Sequence, residues 1–136
     1  MSHVVPDLIQ KVLKKQDPLH ILGDGSQVRH YTYGGDLAHG IRLCIERPEA
    51  VNEEFNLSTD SSTTVLELAR VIWDLIRPGD QFRYVSDPPY EYDVQKRVPN
   101  VEKARRLLGF QAKTPLREVL GIVIPWVKQQ VEYGNI

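Results

Sequence analysis

The chain has 136 residues, of which 41% are hydrophobic and 26% charged, and its formal net charge is −1. A chain of this length usually forms one domain, here residues 1–136, and its near-neutral charge argues against a nucleic-acid partner, which normally requires a basic face. No apolar run is long enough to cross a bilayer, and the N-terminus lacks a signal-peptide pattern. Because Cys44 is the single cysteine, we expect no internal disulfide and no multi-cysteine metal site. From the lack of a spanning run and of a signal peptide, we expect no membrane partner and a cytoplasmic location.

The first third of the chain is predicted to begin with a helix followed by two short strands. Apolar residues at helical spacing predict a helix from Val4 onward, which Asp17-Pro18 ends. Leu19 to Leu22 is a strand candidate, and the residues GDGS at 23–26 form a turn. Val28 to Tyr33 is the next strand candidate.

A second helix is predicted after this strand. Gly34-Gly35 breaks the chain, and Asp36 is placed to cap the helix, which ends before Pro48. Its predicted buried stripe consists of Leu37, Ile41, Cys44 and Ile45.

The middle of the chain is predicted to contain a well-capped third helix. Phe55 to Leu57 reads as a short buried strand and residues 59–63 as a loop. Thr64 to Glu67 fits a capping box, which starts a helix that ends at Ile76. This helix has two apolar faces, so either one face is covered by something outside this chain or the helix is buried within the domain.

The last third is predicted to contain one strand and two more helices. Residues 81–85 form a strand candidate, and the proline-containing stretch 86–99 reads as a loop. Asn100 is placed to cap a short helix that Gly109 ends, and Thr114-Pro115 starts a final helix that Pro125 should kink or split. The fold class is therefore α/β, a small helix-rich domain with short strands rather than a complete doubly wound sheet.

Two arginines are candidates for binding an anion. Arg29 and Arg97 each lie beside turn-forming residues, and each is followed by a well-marked helix. Two guanidiniums from separate loops suit a pyrophosphate, because their planar forks of N–H donors match phosphate oxygens. On charge alone, two ordinary surface arginines would be the simpler interpretation.

Other titratable residues give weaker signals. The histidines at positions 3, 20, 30 and 39 show no metal-ligand spacing, so we expect them to face solvent or to be satisfied by protein partners. Asp87, Glu91 and Asp93 form an acidic cluster, which we interpret as part of a solvated loop.

The order of several segments resembles the C-terminal, substrate-binding part of the extended short-chain dehydrogenase/reductase family. These are the NAD-dependent nucleotide-sugar epimerases, dehydratases and decarboxylases. The matching segments are 4–41, FNLS at 55–58, TTVLELARVI at 63–72 and DVQKRVPNVEKARRLLGF at 93–110. The last segment looks most like the UDP-glucuronate decarboxylase branch, with Val94, Asn100 and Phe110 in place of a proline, an aspartate and a tryptophan.

The segments that carry the family's chemistry are not found in this chain. A G-x-G-x-x-G turn would seat the dinucleotide pyrophosphate, but the sequence that begins at Gly23 has Val28 at the third position. Tyr92 and Lys96 have the spacing of the family's catalytic pair, yet they lie in a polar, proline-flanked stretch that disfavours a helix. The resemblance therefore implies no catalytic residue and no cofactor bound by this chain alone, with NAD implied for the full-length enzyme.

The resemblance implies that the ligand is a nucleotide diphosphate sugar, in particular a UDP-sugar. The strand containing Leu19 and Ile21 would run past the nucleotide base, with apolar side chains flanking the ring and backbone groups reading its edge. Arg29 would bind the diphosphate, Gln27 would add a neutral hydrogen bond, and Arg97 would close over the phosphates. Asn56 would contact the ribose or base, or would bond its own backbone at a strand end.

A second hypothesis is not enzymatic. The chain could be a non-catalytic orphan domain that serves as an assembly or regulatory partner, with Leu66, Trp73 and Ile76 as its exposed binding face. Its partner could be a second copy of the chain or a missing cofactor domain. Epimerase, dehydratase and decarboxylase chemistry stay open, because the discriminating residues lie in the other half of such enzymes.

Overall fold

The computed structural model describes residues 3–135 of the chain. Its helices are Val4–Leu13 (α1), Gly34–Glu46 (α2), Val65–Ile76 (α3), Glu102–Leu108 (α4) and Leu116–Glu132 (α5), with a 3-10 turn at Pro48–Ala50. Its strands are Leu19–Leu22 (β1), Val28–Arg29 (β2), Thr63–Thr64 (β3) and Tyr84–Asp87 (β4).

The strands form two small pairs that bring distant loops together. β1 runs parallel to β4 with Leu19 opposite Tyr84, and β2 runs antiparallel to β3 with Val28 opposite Thr64. The Gly23 backbone N–H donates to the carbonyl of Asp87 at 2.8 Å. Because parallel strands end at the same edge of a sheet, the turn after β1 and the long loop after β4 lie side by side.

The main hydrophobic core lies between α1, β1, α3 and α5. α3 is buried on both of its apolar faces, so the prediction that it is buried within the domain is confirmed. Fully buried side chains from these elements form the core: Leu8, Ile9, Val12, Leu19, Ile21, Leu68, Ile72, Trp73, Leu120 and Val127.

The proposed exposed face on α3 is wrong. Trp73 is fully buried, and Leu66 and Ile76 are half-buried against the same core. The Trp73 indole N–H donates to the Asp80 carbonyl at 3.2 Å, and the Arg77 guanidinium lies 4.3 Å from the ring centroid. The indole therefore closes the end of the core and is not a free surface.

The predicted buried stripe on α2 is also wrong. Leu37, Ile41 and Ile45 are 38%, 49% and 80% exposed, whereas Gly40 and Leu43 form the buried face. A Cβ at Gly40 would lie only 2.8 Å from the Phe110 ring, so the glycine allows α2 to approach that ring closely. Of the predicted stripe, Cys44 is half-buried and packs beside Leu43. Hydrophobic periodicity does not count glycine, and the predicted face was therefore rotated away from the buried one.

Several element boundaries differ from the predictions. β2 stops at Arg29, residues 55–57 pair with no strand, β3 includes Thr63 from the predicted loop, and β4 is shifted toward the C-terminus. α5 runs unbroken through Pro125, so the predicted split is wrong.

Asp36 does not cap α2, which begins two residues earlier at Gly34. Its carboxylate instead accepts backbone N–H groups from Lys113 at 3.1 Å and Thr114 at 2.9 Å. Asp36 thus ties the start of α2 to the segment before α5.

The predicted ends of two helices are confirmed in detail. The Thr64 hydroxyl accepts the Glu67 backbone N–H, and the Glu67 carboxylate accepts the Thr64 backbone N–H at 2.7 Å. The Asn100 side chain accepts the backbone N–H of Glu102 at the start of α4, and Gly109 ends that helix with a φ of 67°.

Replacing Thr64 with alanine should lower the free energy of unfolding by about 1 kcal/mol, because one N–H at the start of α3 loses its acceptor. Urea denaturation followed by circular dichroism measures this change. Ser61→Ala, an exposed position in the preceding loop, is the control and should change stability by less than about 0.5 kcal/mol. Equal losses in both variants would contradict a specific capping role.

The same capping box should make stability depend on pH. The Thr64 backbone N–H, and then its hydroxyl, hold the pKa of the Glu67 carboxyl below its usual value. This contribution is therefore present above the unfolded pKa of about 4.3 and is lost as the pH falls through the lower folded value. The stability difference between wild type and Glu67→Gln should shrink on acidification, and a constant difference would refute the linkage.

Candidate functional site

Val28 joins the two segments that carry the candidate arginines. Its backbone N–H donates to the Gln95 carbonyl at 2.8 Å, and its own carbonyl accepts the Arg97 N–H at 3.2 Å. Val28 and Lys96 form an isolated parallel bridge. Arg29 follows Val28 directly, so the two arginines emerge from adjacent stretches of backbone.

Both arginines line the same two cavities. The first cavity, of about 690 Å³, is also lined by Tyr31, Asn56 and Ser58. The second, of about 490 Å³, extends past α1 and β1 and is also lined by His20 and Leu22 among others.

The two cavities differ in charge. Among residues 3–135, no acidic side chain lines the first cavity, so the arginines give it a net positive character. The second cavity adds Lys11 and three aspartates, Asp7, Asp87 and Asp93. An anion is therefore favoured on the side of the first cavity.

Arg29 is held in place by hydrogen bonds from both terminal nitrogens of its guanidinium. It is 23% exposed, and its Nη2 lies 3.2 Å from Asp93 Oδ1. Its Nη1 donates to its neighbour's carbonyl, that of Val28, at 2.9 Å. The guanidinium carries further N–H donors beyond these, and these are the groups that a ligand could use.

Gln27 is a buried link between the two loops. It is 3% exposed, and its Nε2 donates to the Leu22 carbonyl at 3.2 Å and to Asp93 Oδ2 at 3.1 Å. Its Oε1 is buried without a hydrogen-bond partner among the described residues. The amide nitrogen is thus used internally, and only the oxygen is left to accept a bond from a ligand.

Leu19 and Ile21 have side chains that are fully buried in the main core. Leu19 lines neither cavity, whereas Ile21 and the half-buried Leu22 are among the residues that line the second cavity. The outward backbone groups of His20 are occupied: its N–H donates to Gln16 Oε1 at 3.0 Å, and its carbonyl accepts from Lys11 Nζ at 3.2 Å. The backbone that remains for a base to contact in β1 therefore excludes His20.

Asn56 lies at the rim of the first cavity and is exposed. Its Nδ2 donates to the carbonyl of Asn100 at 3.0 Å. This bond joins segment 55–58 to the end of the loop that carries Arg97. The Asn56 amide therefore bonds a distant segment and not its own backbone, as the alternative prediction had it.

The histidine prediction holds for His30, which lines the first cavity but is satisfied by protein partners. Its Nδ1 lies 2.8 Å from the Thr59 carbonyl, and its Nε2 lies 3.0 Å from the Ser62 hydroxyl. His20 Nδ1 lies 2.8 Å from Asp87 Oδ1.

Two residues at this site were missed by sequence reasoning. Asp93 was read as a solvated loop residue, yet its side chain is 19% exposed and bonds both Gln27 and Arg29. Tyr31 was read only as a strand residue, yet its hydroxyl is buried beside the first cavity with no partner within residues 3–135. Burial raises the pKa of Tyr31 to about 12. No spacing in the sequence marks either residue, because both depend on contacts between distant segments.

The sequence profile of the NAD dependent epimerase/dehydratase family matches residues 1–58. UDP-glucuronic acid decarboxylase 4 of Arabidopsis thaliana is 34% identical over 130 residues, which cover 96% of this chain and 28% of that protein. This chain is related to the NAD dependent epimerase/dehydratase family. The resemblance found in the ordered sequence segments is thereby confirmed.

Solved structures of such enzymes share the fold. An epimerase from Methanothermobacter thermautotrophicus superposes with a TM-score of 0.85 at 30% identity, covering 96% of this chain and 38% of that protein. UDP-glucose 4-epimerase with UDP-glucose from Thermotoga maritima gives a TM-score of 0.81 at 29% identity, covering 95% of this chain and 40% of that protein. The small α/β fold thus corresponds to part of a Rossmann-type enzyme. The chain spans less than a third of the length of the Arabidopsis relative.

The described residues do not fit a dinucleotide site. Gly23 and Gly25 have positive φ angles, but this turn leads from β1 into the strand β2 rather than into a helix. A helix N-terminus is what binds the pyrophosphate in the dinucleotide motif. Tyr92 and Lys96 lie in no helix, so the prediction that this stretch is not helical is confirmed.

No helix within residues 3–135 has the length and apolar character needed to cross a membrane.

Replacing Tyr31 with phenylalanine should raise the free energy of unfolding by up to about 1 kcal/mol, because it removes a buried hydroxyl that lacks a partner. Chemical denaturation of the ligand-free chain measures the change. Tyr92→Phe, at a side chain that is 87% exposed, is the matched control and should leave stability unchanged. A clear loss of stability in Tyr31→Phe would show that the hydroxyl is satisfied.

Proposed function

We propose that this chain binds the diphosphate of a nucleotide sugar between Arg29 and Arg97. In this proposal it is the substrate-binding part of an NAD-dependent epimerase, dehydratase or decarboxylase. The observation that carries the proposal is that both guanidiniums line the same pair of cavities, although the residues are far apart in sequence.

The chemistry of the two arginines supports an anionic, phosphate-containing ligand. Arg29 is pre-ordered by Asp93 and the Val28 carbonyl, whereas the exposed Arg97 is fixed through its backbone. A pre-ordered guanidinium loses less side-chain entropy when it binds phosphate. Arg97 can then close against the ligand from the opposite loop.

A uridine nucleotide is favoured by the named relatives. The Arabidopsis relative is a UDP-glucuronic acid decarboxylase, and the Thermotoga structure contains UDP-glucose. In our proposal the second cavity takes the nucleoside, because it is neutral in balance and includes apolar side chains such as Leu8, Leu22 and Val65. Asn56 and the unpaired oxygen of Gln27 would supply uncharged hydrogen bonds to the ligand.

We also propose that the chain is inert by itself. NAD, when bound by a complete enzyme of this family, supplies the hydride acceptor for oxidation of the sugar. The residues of this chain would bind and orient the substrate, which accelerates a reaction only when the reacting groups are held nearby. A cytoplasmic location is part of the same proposal.

The assembly hypothesis receives less support. Its binding face was to be formed by Leu66, Trp73 and Ile76, and these side chains contribute to the main core. The nucleotide-sugar proposal is therefore the one that the site geometry favours.

Titration calorimetry of the folded chain with UDP should show binding in the micromolar to millimolar range, because the isolated part encloses only one side of the ligand. Arg29→Ala and Arg97→Ala should each weaken UDP binding by about 1 to 3 kcal/mol, since each removes charge-assisted hydrogen bonds. Binding of uridine, which has no phosphate, should change little in either variant.

Arg117→Ala is the matched control, because Arg117 is an exposed arginine on α5 that lines neither cavity. It should bind UDP like the wild type. The proposal is refuted if the folded wild-type chain gives no heat at millimolar UDP, or if both cavity variants bind UDP with unchanged affinity.

A further inference from the structure

We infer that Asp93 is a positioning residue for anion binding. Its carboxylate holds Gln27 and Arg29 together, so that Arg29 offers its remaining N–H groups to a diphosphate beside Arg97. The inference rests on the proposed function, and it adds a residue whose effect on the diphosphate is transmitted through Arg29.

The contacts of Asp93 are divided between its two oxygens. Oδ1 accepts from Arg29 Nη2 at 3.2 Å, and Oδ2 accepts from Gln27 Nε2 at 3.1 Å. Gln27 is almost fully buried, and the side chains of Arg29 and Asp93 are about one-fifth exposed. An ion pair with this burial and a second hydrogen bond is geometrically fixed, unlike a typical exposed surface pair.

Asp93 also connects its loop to the scaffold. Gln27 bonds the Leu22 carbonyl at the end of β1 through its side chain, and its own carbonyl accepts the backbone N–H of Val65 at the start of α3. The path from Asp93 through Gln27 therefore ends on β1 and α3, which belong to the main core. The bond to Gln27 therefore fixes the position of the Asp93 carboxylate relative to β2.

The two arginines are positioned by different means. Within residues 3–135, the Arg97 side chain has no salt-bridge partner, and its backbone N–H donates to the Val28 carbonyl. Of the two arginines, Arg29 is the one whose side chain is restricted by a carboxylate. Removal of Asp93 should therefore act chiefly on Arg29, because the Arg97 N–H keeps its bond to Val28.

A carboxylate beside an anion site has two opposing effects. It orients the guanidinium, which favours binding, and it repels the incoming phosphate, which opposes binding. The Asp93 oxygens are both engaged with donors, and Asp93 lines only the second cavity whereas Arg29 lines both. We infer that orientation is the larger effect.

Calorimetry of Asp93→Ala should show UDP binding weakened about 3- to 30-fold, as for other directly coupled pairs, with uridine binding unchanged. In the Arg29→Ala background, Asp93→Ala should have a much smaller effect on UDP, because only its contact with Gln27 is left to lose. Glu91→Ala is the control from the same loop, since Glu91 is exposed, and it should bind UDP like wild type. Circular dichroism would establish that each variant is folded.

Other outcomes of this titration would overturn the inference. UDP binding that is unchanged or tighter in Asp93→Ala would show that charge repulsion dominates. An equal loss of uridine binding, or a loss of UDP binding that is undiminished without the Arg29 guanidinium, would indicate a general structural role.

Nuclear magnetic resonance of the Arg29 Nη2–H group, which donates to Asp93, tests the positioning without any ligand. In the wild-type chain this signal should be shifted and protected from exchange, and in Asp93→Ala it should move to the position of a free arginine. An unchanged signal would overturn the inference. If the wild-type chain fails to bind UDP, the proposed function is refuted. The resonance measurement needs no ligand, and it still tests whether Asp93 positions Arg29.

Discussion

Val28 uses both of its backbone hydrogen-bonding groups on the segment that carries Arg97. Because Arg29 is its neighbour, this one residue determines that two distant cationic side chains share a pair of cavities. The arrangement in turn requires β1 and β4 to end at the same edge, since the loop after β4 must reach β2. The convergence of the two arginines is thus a consequence of main-chain pairing and not of attraction between their side chains, which carry like charges.

Buried polar atoms without partners concentrate at this site. Gln27 Oε1 and the Tyr31 hydroxyl both lie beside the cavities and lack partners among the described residues. Each such atom costs folding free energy of about 1 to 3 kcal/mol. A binding site accepts this cost when a ligand later supplies the missing bond, and such sites are commonly less stable than the fold would allow.

The sequence predicted best those features that depend on neighbouring residues. The Thr64–Glu67 box, the start of α4 at Asn100 and its end at Gly109 are local, and all three are found in the structure. The strand β1 was also predicted with its observed bounds. The pairing of Arg29 and Arg97 around one cavity came from the family resemblance, because no local pattern encodes it.

The errors concern contacts between distant segments. Asp36 has the chemistry of a cap, but its carboxylate binds the backbone before α5 instead. Gly40 was overlooked because it has no side chain, although its contact with Phe110 determines which face of α2 is buried. Asp93 looked like one of several solvated acids until its partners Gln27 and Arg29, both more than 60 positions away, were known.

The side chains along the outer edge of β1 protect the molecule against aggregation by strand pairing. A short parallel pair leaves one strand with unpaired backbone groups, and these groups invite a strand from another molecule to add on. Here Gln16 and Lys11 occupy both groups of His20, and Gln27 occupies the Leu22 carbonyl. A foreign strand would have to displace an ammonium group that Asp7 anchors at 2.8 Å, so this edge resists the edge-to-edge growth that leads to fibrils.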